Sequence, residues 1–350
     1  MTLTGFHILV LGGGTIGAGW AAGFAGAGAR VSVVDPNPDS AEMIAGLFDK
    51  AVPIIRDLGT CVSDPIAPVH CLSLDAVNGP IDFVQEALPE RLPLKRDSLC
   101  AVEDHVSDDV VIASSSSGYT ASEIQDGLRR PQRVVIGHPC NPPYLMPVVE
   151  LGGGKQTTPD FLSAAQTVYE AAGKTVLRVN KELPGHLVNR LQAALWREAV
   201  HMATLGVASV ADIERAVTQG LGPRWSVVGP TTIFDLAGGD GGLAKFFDDL
   251  GDEVDRWWDS LGTPRLTPEN RALLVEGMKA ARDGRTSAEI AARRDRLVPR
   301  VMGAVQQDPT NETVDTSKGG IENVQDNQTF RGGRRWDADD GTIPADGHRR

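Results

Sequence analysis

Cysteine, aromatic residues and long apolar runs are all scarce in this chain of 350 residues. The four cysteines, Cys61, Cys71, Cys100 and Cys140, include no CxxC pair, which argues against a zinc ribbon or a dithiol redox centre and suits a reducing compartment. Aromatic residues make up 5%, so a core must be built mostly from aliphatic side chains and alanine. No apolar run approaches the ~20 residues that a membrane-spanning helix needs. The opening MTLTGFHILVLGGG lacks the basic flank of a secretory signal. Bases are also in deficit: 34 Lys and Arg against 46 Asp and Glu leave a net charge of −12, a poor surface for nucleic acid or an anionic membrane. The expectation is a cytoplasmic protein with neither as a partner. His70, His105, His186 and His201 have no metal-like spacing, so no metal is expected, and they read as structural or surface residues.

What the chain does have is glycine, 39 residues of it, and a hydrophobic fraction of 41%, enough for a sizeable core. FHILVL (6–11) is a continuous apolar run, the mark of a strand buried on both faces. A glycine-rich turn and a small-residue helix over 18–28 follow, then a second strand over 31–34 ending at Asp35. Further apolar runs lie at 81–84, 110–113, 134–136, 148–151 and 176–179, with helix-like segments between several of them. Strands alternating with helices predict an α/β fold with a parallel, doubly wound sheet. From Pro184 onward the pattern is helical, with Leu187, Leu191, Leu195 and Met202 at helical spacing and Ser209 placed to start a helix three residues before Asp212. Helices are expected at 241–259, 267–282 and 286–306. The reading gives a domain over 1–183, an all-α domain over 184–307, and a polar, glycine-rich tail over 308–350 that cannot offset its ordering entropy and is expected to be disordered.

The glycine turn carries the first chemistry. Gly12-Gly13-Gly14-Thr15-Ile16-Gly17 fits GxGxxG between a strand and a helix. Gly12 permits the tight turn, Gly14 lets the backbone approach a pyrophosphate at the helix N-terminus, where Thr15 and Ile16 begin the first turn, and Gly17 allows close helix–strand packing. Asp35 closes the next strand, where a carboxylate accepts ribose hydroxyls and repels a 2′-phosphate; Pro36, Asn37 and Pro38 supply no arginine to hold one. The expected cofactor is NAD.

Three further blocks, ASSSS (113–117), GHPCNPPYLMPVVEL (137–151) and PGHLVNRL (184–191), resemble the L-3-hydroxyacyl-CoA dehydrogenase superfamily in content, order and spacing. The resemblance spans about residues 5–305. It implies a Rossmann domain, a helical domain through which two copies form a homodimer, and an active site between the domains. It also implies roles: His138 as general base, Glu150 as the carboxylate paired with it, Ser117 and Asn189 as polar groups around the reacting oxygen, and Asn141, Glu90 and Lys95 on the nicotinamide side of the cofactor. The residue types suit alcohol oxidation. Hydride leaves a carbinol carbon only as the hydroxyl proton is removed, and imidazole is poised for that near neutral pH. A carboxylate on its other nitrogen fixes the tautomer and stabilises the imidazolium. Cys140 lies close by, with nothing to activate it, and reads as packing.

NPPYLMPVVEL and NRLQ further resemble the lambda-crystallin type, the L-gulonate 3-dehydrogenases, while ALWREA, GLGPRW and LAGGDGG resemble bacterial carnitine 3-dehydrogenases. Both imply a small 3-hydroxy acid with a free carboxylate as substrate. Residues 41–80 hold only Lys50 and Arg56 as strong bases against five acids, a poor cradle for CoA phosphates. Arg224, in the GLGPRW segment, is then the candidate for a bidentate carboxylate contact. Trp225, Trp257 and Trp258 read as packing, interface or cage residues. A 3-hydroxyacyl-CoA dehydrogenase and a non-catalytic, crystallin-like NAD-binding protein are the alternatives.

Overall fold

The computed structural model describes residues 2–306; the expected disordered tail, 308–350, lies outside them. In chain order the first part comprises β1 (His7–Leu11), α1 (Thr15–Gly26), β2 (Arg30–Val34), α2 (Ser40–Asp57), β3 (Val69–Cys71), β4 (Phe83–Glu86), α3 (Leu92–Val102), β5 (Val111–Ser114), α4 (Ala121–Gln125), β6 (Val134–Pro139), β7 (Val148–Gly153), α5 (Pro159–Ala171) and β8 (Thr175–Val179). The strands pair in the order β3-β2-β1-β4-β5-β6-β7-β8. Every neighbouring pair is parallel except β6 and β7.

Strand residues alternate between two cores, which explains the unbroken apolar runs. Ile8 and Val10 face one core with Trp20, Phe24, Ile44 and Tyr169, while Leu9 and Leu11 face the other with Leu99, Val102 and Ile124. Helices therefore cover both faces of the sheet, as the doubly wound reading predicts. Each fully buried large aliphatic or aromatic side chain contributes about 1.5–3 kcal/mol. Two differences from the sequence reading stand out. The edge strand β3 is only three residues long, too short for a hydropathy pattern. The other is the reversed direction of β7. A parallel return needs a crossover of about a dozen residues or more, and the connection 140–147 is shorter, so β7 runs back beside β6.

α1 starts at Thr15, earlier than its apolar residues suggest, and buries every residue from Gly17 to Gly26. That close approach depends on glycine: a Cβ on Gly17 would overlap the Gly12 carbonyl oxygen.

Beyond β8 the chain is helical: α6 (Val188–Thr204), α7 (Val210–Arg215), α8 (Gly222–Trp225), α9 (Pro230–Ala237), α10 (Gly242–Ser260), α11 (Pro268–Arg282) and α12 (Ser287–Gln306). The Ser209 hydroxyl caps α7, accepting the Asp212 amide at 3.1 Å, as the sequence spacing predicts. α9 has no counterpart in the sequence reading. α12 returns to the first part of the chain: Asp295 accepts from Lys50 of α2 at 2.6 Å and from the Tyr144 hydroxyl at 3.2 Å, and Val298 packs against the core that holds Trp20 and Ile44. No helix among the described residues is long and apolar enough to cross a membrane.

Candidate active site

The C-terminal ends of the parallel strands β1, β2, β4, β5 and β6 lie along one edge of the sheet, the place where open α/β sheets bind ligands. At its β1–β2 end, Gly12 takes φ +95°, and a Cβ there would press on the Ala87 carbonyl at 2.7 Å; only glycine fits. Gly14, the N-cap of α1, has nothing within 4 Å of its Cβ position. The Asp35 carboxylate accepts the Gly13 amide at 2.7 Å and the Asn37 amide at 2.9 Å, which fixes it at the rim. A cavity of about 680 Å³ lies here, lined by Gly12, Gly14, Thr15, Ile16, Asp35 and the backbone run 87–89 among others. A glycine-sized approach to the helix N-terminus, an unblocked Gly14 and an acid at the ribose end fit NAD. Asp35→Ala is expected to narrow the preference for NAD over NADP, read as the ratio of kcat/KM for the two cofactors. Comparable use of NADP by the unmodified protein would refute the role of Asp35.

At the ends of β4 and β5 the structure adds a residue that the sequence reading missed. Glu86, fully buried, takes the ammonium of Lys95 at 2.8 Å and the Leu88 amide at 2.6 Å, and it also accepts the Ser114 hydroxyl. Lys95 is itself 1% exposed and donates to the Leu88 carbonyl at 3.1 Å, which ties it to the 87–89 run that lines the cavity. Glu90 lies 3.2 Å from Lys95 and accepts the Ser116 hydroxyl at 2.5 Å and the Gly118 amide at 2.6 Å. Burial pushes its carboxyl up, but those bonds and Lys95 outweigh burial and hold it below the usual carboxylate value. Ser117 follows on the exposed loop. Its carbonyl accepts the Gly185 amide at 3.0 Å, and its hydroxyl has no partner among the described residues.

Reversal of β7 sets up the central pair. In the β6–β7 register His138 stands directly opposite Glu150, and their side chains meet, Nδ1 to Oε2, at 2.8 Å. Glu150 is fully buried and His138 is 6% exposed. The other carboxylate oxygen accepts the amides of Leu187 at 2.5 Å and Val188 at 2.8 Å, at the start of α6. Burial raises the Glu150 carboxyl, but the His138 and amide hydrogen bonds prevail and hold it below the usual value. With Nδ1 committed to Glu150, Nε2 is the free edge of His138, and the Asn189 amide approaches it at 3.4 Å.

His186, which the sequence reading set aside as structural or surface, belongs to this cluster. It is buried at φ +47°, its ring centroid 5.0 Å from that of His138. Nε2 bonds the Ser116 carbonyl at 2.8 Å. Burial lowers its proton affinity and the His138 ring lowers it further, against the Ser116 bond. Beneath the strand ends, Tyr169 donates to Gln85 at 2.6 Å, and Gln85 and Trp20 both donate to Ser115, at 2.9 and 3.1 Å. Gly137 carries no side chain because a Cβ would overlap the Tyr169 hydroxyl.

Asn141 is exposed at the start of the 140–147 loop. Lys174 pins that loop from below, donating to the carbonyls of Pro143 and Met146 with its ammonium 5.7 Å over the Trp20 ring; burial brings its pKa down to about 8, against the influence of Cys140. The Cys140 thiol is pushed up by burial and by Glu150, consistent with an unactivated cysteine. Arg224 is exposed on α8 and has no acidic partner among the described residues, and no contact joins it to the His138 cluster.

The glycine turn, the cavity and Asp35 are the parts of a dinucleotide site, and the His138–Glu150 pair stands at the end of β6 in the same sheet. Comparison with known proteins identifies the class. Residues 7–183 match the NAD binding domain of 3-hydroxyacyl-CoA dehydrogenase and residues 185–267 match its C-terminal domain, so the chain belongs to the 3-hydroxyacyl-CoA dehydrogenase family. Among its relatives is an L-carnitine dehydrogenase of Nocardiopsis dassonvillei, 42% identical over 86% of this chain and 92% of that protein. Another L-carnitine dehydrogenase, from Pseudomonas aeruginosa, is 37% identical over 85% of this chain and 93% of that protein. A similar solved structure is 5-formyl-3-hydroxy-2-methylpyridine 4-carboxylic acid 5-dehydrogenase, described as an NAD+-dependent dismutase: TM-score 0.74, 26% identity, covering 88% of this chain and 99% of that one.

Proposed function

We propose that the protein oxidises the 3-hydroxyl of a small, free hydroxy acid of the carnitine or gulonate type to the 3-keto acid. The observation that carries this is the His138–Glu150 pair at 2.8 Å with Nε2 left facing Asn189. Bound NAD supplies the hydride acceptor. His138 Nε2 takes the hydroxyl proton, Glu150 stabilises the resulting imidazolium, and the Asn189 amide and Ser117 hydroxyl hydrogen-bond the oxygen as its charge changes. Gly12, Gly14, Thr15, Ile16, Gly17 and Asp35 hold the dinucleotide end of the cofactor. Glu90, Lys95 and Asn141 shape its nicotinamide end.

The relatives named L-carnitine dehydrogenase support the substrate class. So does Lys50, one of the two bases in the acidic 41–80 segment, whose ammonium is occupied by Asp295. One observation favours the CoA-thioester reading instead: α12 brings Arg296 and Arg300 to a cavity of about 690 Å³ that also holds Lys50, Asp57 and Asp295. A screen of NAD reduction with L-carnitine, L-gulonate, 3-hydroxybutyrate and 3-hydroxybutyryl-CoA decides between them. The free acids are expected to give the higher kcat/KM; a better value for the thioester than for every free acid would overturn the substrate class.

Homodimer formation through the helical part, 184–307, belongs to the same proposal. The helices α8, α9 and α11 bury no residue within the single chain, and α10 leaves Phe247, Leu250, Trp257 and Trp258 exposed, an apolar surface that association would remove from water. Sedimentation is expected to give twice the 37.2 kDa chain mass. A monomer at micromolar concentration would remove this part.

A further inference from the structure

A free 3-hydroxy acid carries its carboxylate two bonds from the reacting carbon, so its counter-charge must stand next to the groups that hold the reacting oxygen. Arg224 shows no contact with that cluster. The first turns of α6 do. A cavity of about 480 Å³ opens on Pro184, Gly185 and Asn189 and continues over Arg190, the alanines 193 and 194, and Arg197. These α6 positions recur at the three- and four-residue spacing of one helix face.

Arg190 follows Asn189 directly. Its stem packs over Gly185, with Cγ 3.5 Å from that glycine's Cβ position, and among the described residues its guanidinium makes only a long contact, 3.5 Å, with the Pro184 carbonyl. The same turn is tied to Ser117 through the Gly185 amide at 3.0 Å. Ser117, Asn189 and Arg190 are thus gathered around one short stretch of backbone. Neither Arg190 nor Arg197 has an acidic partner among the described residues, in a chain with an excess of acids. The alanines between them leave their guanidinium groups open to a ligand. Arg197 stands about 10 Å further along the helix axis, at the outer end of the cavity.

We infer that Arg190 binds the substrate carboxylate and that Arg197 is an outer cation that draws the anion into the cavity. This rests on the hydroxy-acid reading above and specifies its anchor. A guanidinium fork is suited to a planar carboxylate, whereas an exposed second cation acts mainly through its screened field.

The test uses binding rather than turnover. The NAD-loaded protein, which has no hydride to give to a keto acid, is titrated with acetoacetate and with methyl acetoacetate, its uncharged ester, by calorimetry. Arg190→Met is expected to weaken acetoacetate about 10–100-fold while sparing the ester and NAD, and Arg190→Lys to recover part of the loss. Arg197→Met is expected to cost about threefold at low salt and less as salt rises. Equal losses for acid and ester in Arg190→Met, or a loss concentrated in Arg224→Met instead, would overturn the proposal. NAD binding in each variant separates misfolding from lost recognition. Arg190-dependent acetoacetate binding in a protein that oxidises only CoA thioesters would leave the anchor standing and remove the proposed function. Failure of the unmodified protein to bind acetoacetate, while it binds acetoacetyl-CoA, would overturn both.

Discussion

Replacing His138 with alanine is expected to slow alcohol oxidation by roughly 10²–10⁴-fold and to leave NADH binding nearly unchanged. The separation follows from position. His138 lies on β6 with its only free edge toward Asn189, away from the glycine turn and Asp35 at the β1–β2 end. Imidazole supplied in solution should restore part of the rate, because the cavity left would retain Glu150 to orient it. Near-normal turnover by the alanine variant in steady-state assays would remove His138 from the mechanism.

Glu150→Gln is expected to be almost as damaging, at roughly 10²–10⁴-fold in kcat. Glutamine keeps the volume and one acceptor oxygen. It cannot accept from the Leu187 and Val188 amides with one oxygen and from the His138 nitrogen with another, as the carboxylate does. The imidazolium formed on proton transfer would then lack its counter-charge. A variant retaining more than about a tenth of wild-type kcat would place Glu150 outside catalysis, since removal of a working partner costs more than that. The pair also sets an acid limit on stability. The folded carboxyl of Glu150 is held below its ordinary value, so its contribution is present above the unfolded pKa of about 4.3 and lost as pH falls through the lower folded one. Glu90 and Asp295 shift in the same direction. Thermal melts should therefore fall steeply on acidification below about pH 4, and more shallowly in Glu150→Gln.

Much of this was legible in the sequence because the relevant signals are local. An apolar run, a glycine turn and an acid at the end of the next strand lie within residues 6–35, and each has one physical reading. The antiparallel β7 could also have been read, since the 140–147 connection leaves no room for a crossover. Glu86 and Gln85 were not legible. Both are fully buried polar residues at the end of β4, and hydropathy ends that strand at Val84, because the partners that make their burial tolerable, Lys95, Ser115 and Tyr169, come from elsewhere in the chain. His186 escaped for the same reason. Its neighbour His138 and its acceptor Ser116 are remote in sequence, and spacing rules for metals say nothing about two imidazoles in contact. Arg224 stands in a recognisable motif, whereas Arg190 and Arg197 are distinguished by the cavity that joins them to Asn189, which no local pattern encodes.

The return of α12 to α2 bears on how the molecule is made. Lys50 and the core face beneath α2 are synthesised early, but Asp295 and Val298, which complete that region, emerge from the ribosome only after α3 to α11. The nucleotide-binding part is thus a structure whose covering helix arrives after the rest of the helical part has been made. Its folding carries the entropic cost of closing a very long loop. A nascent chain stalled anywhere before α12 would hold an incompletely covered α2, exposed to chaperones and proteases until α12 docks.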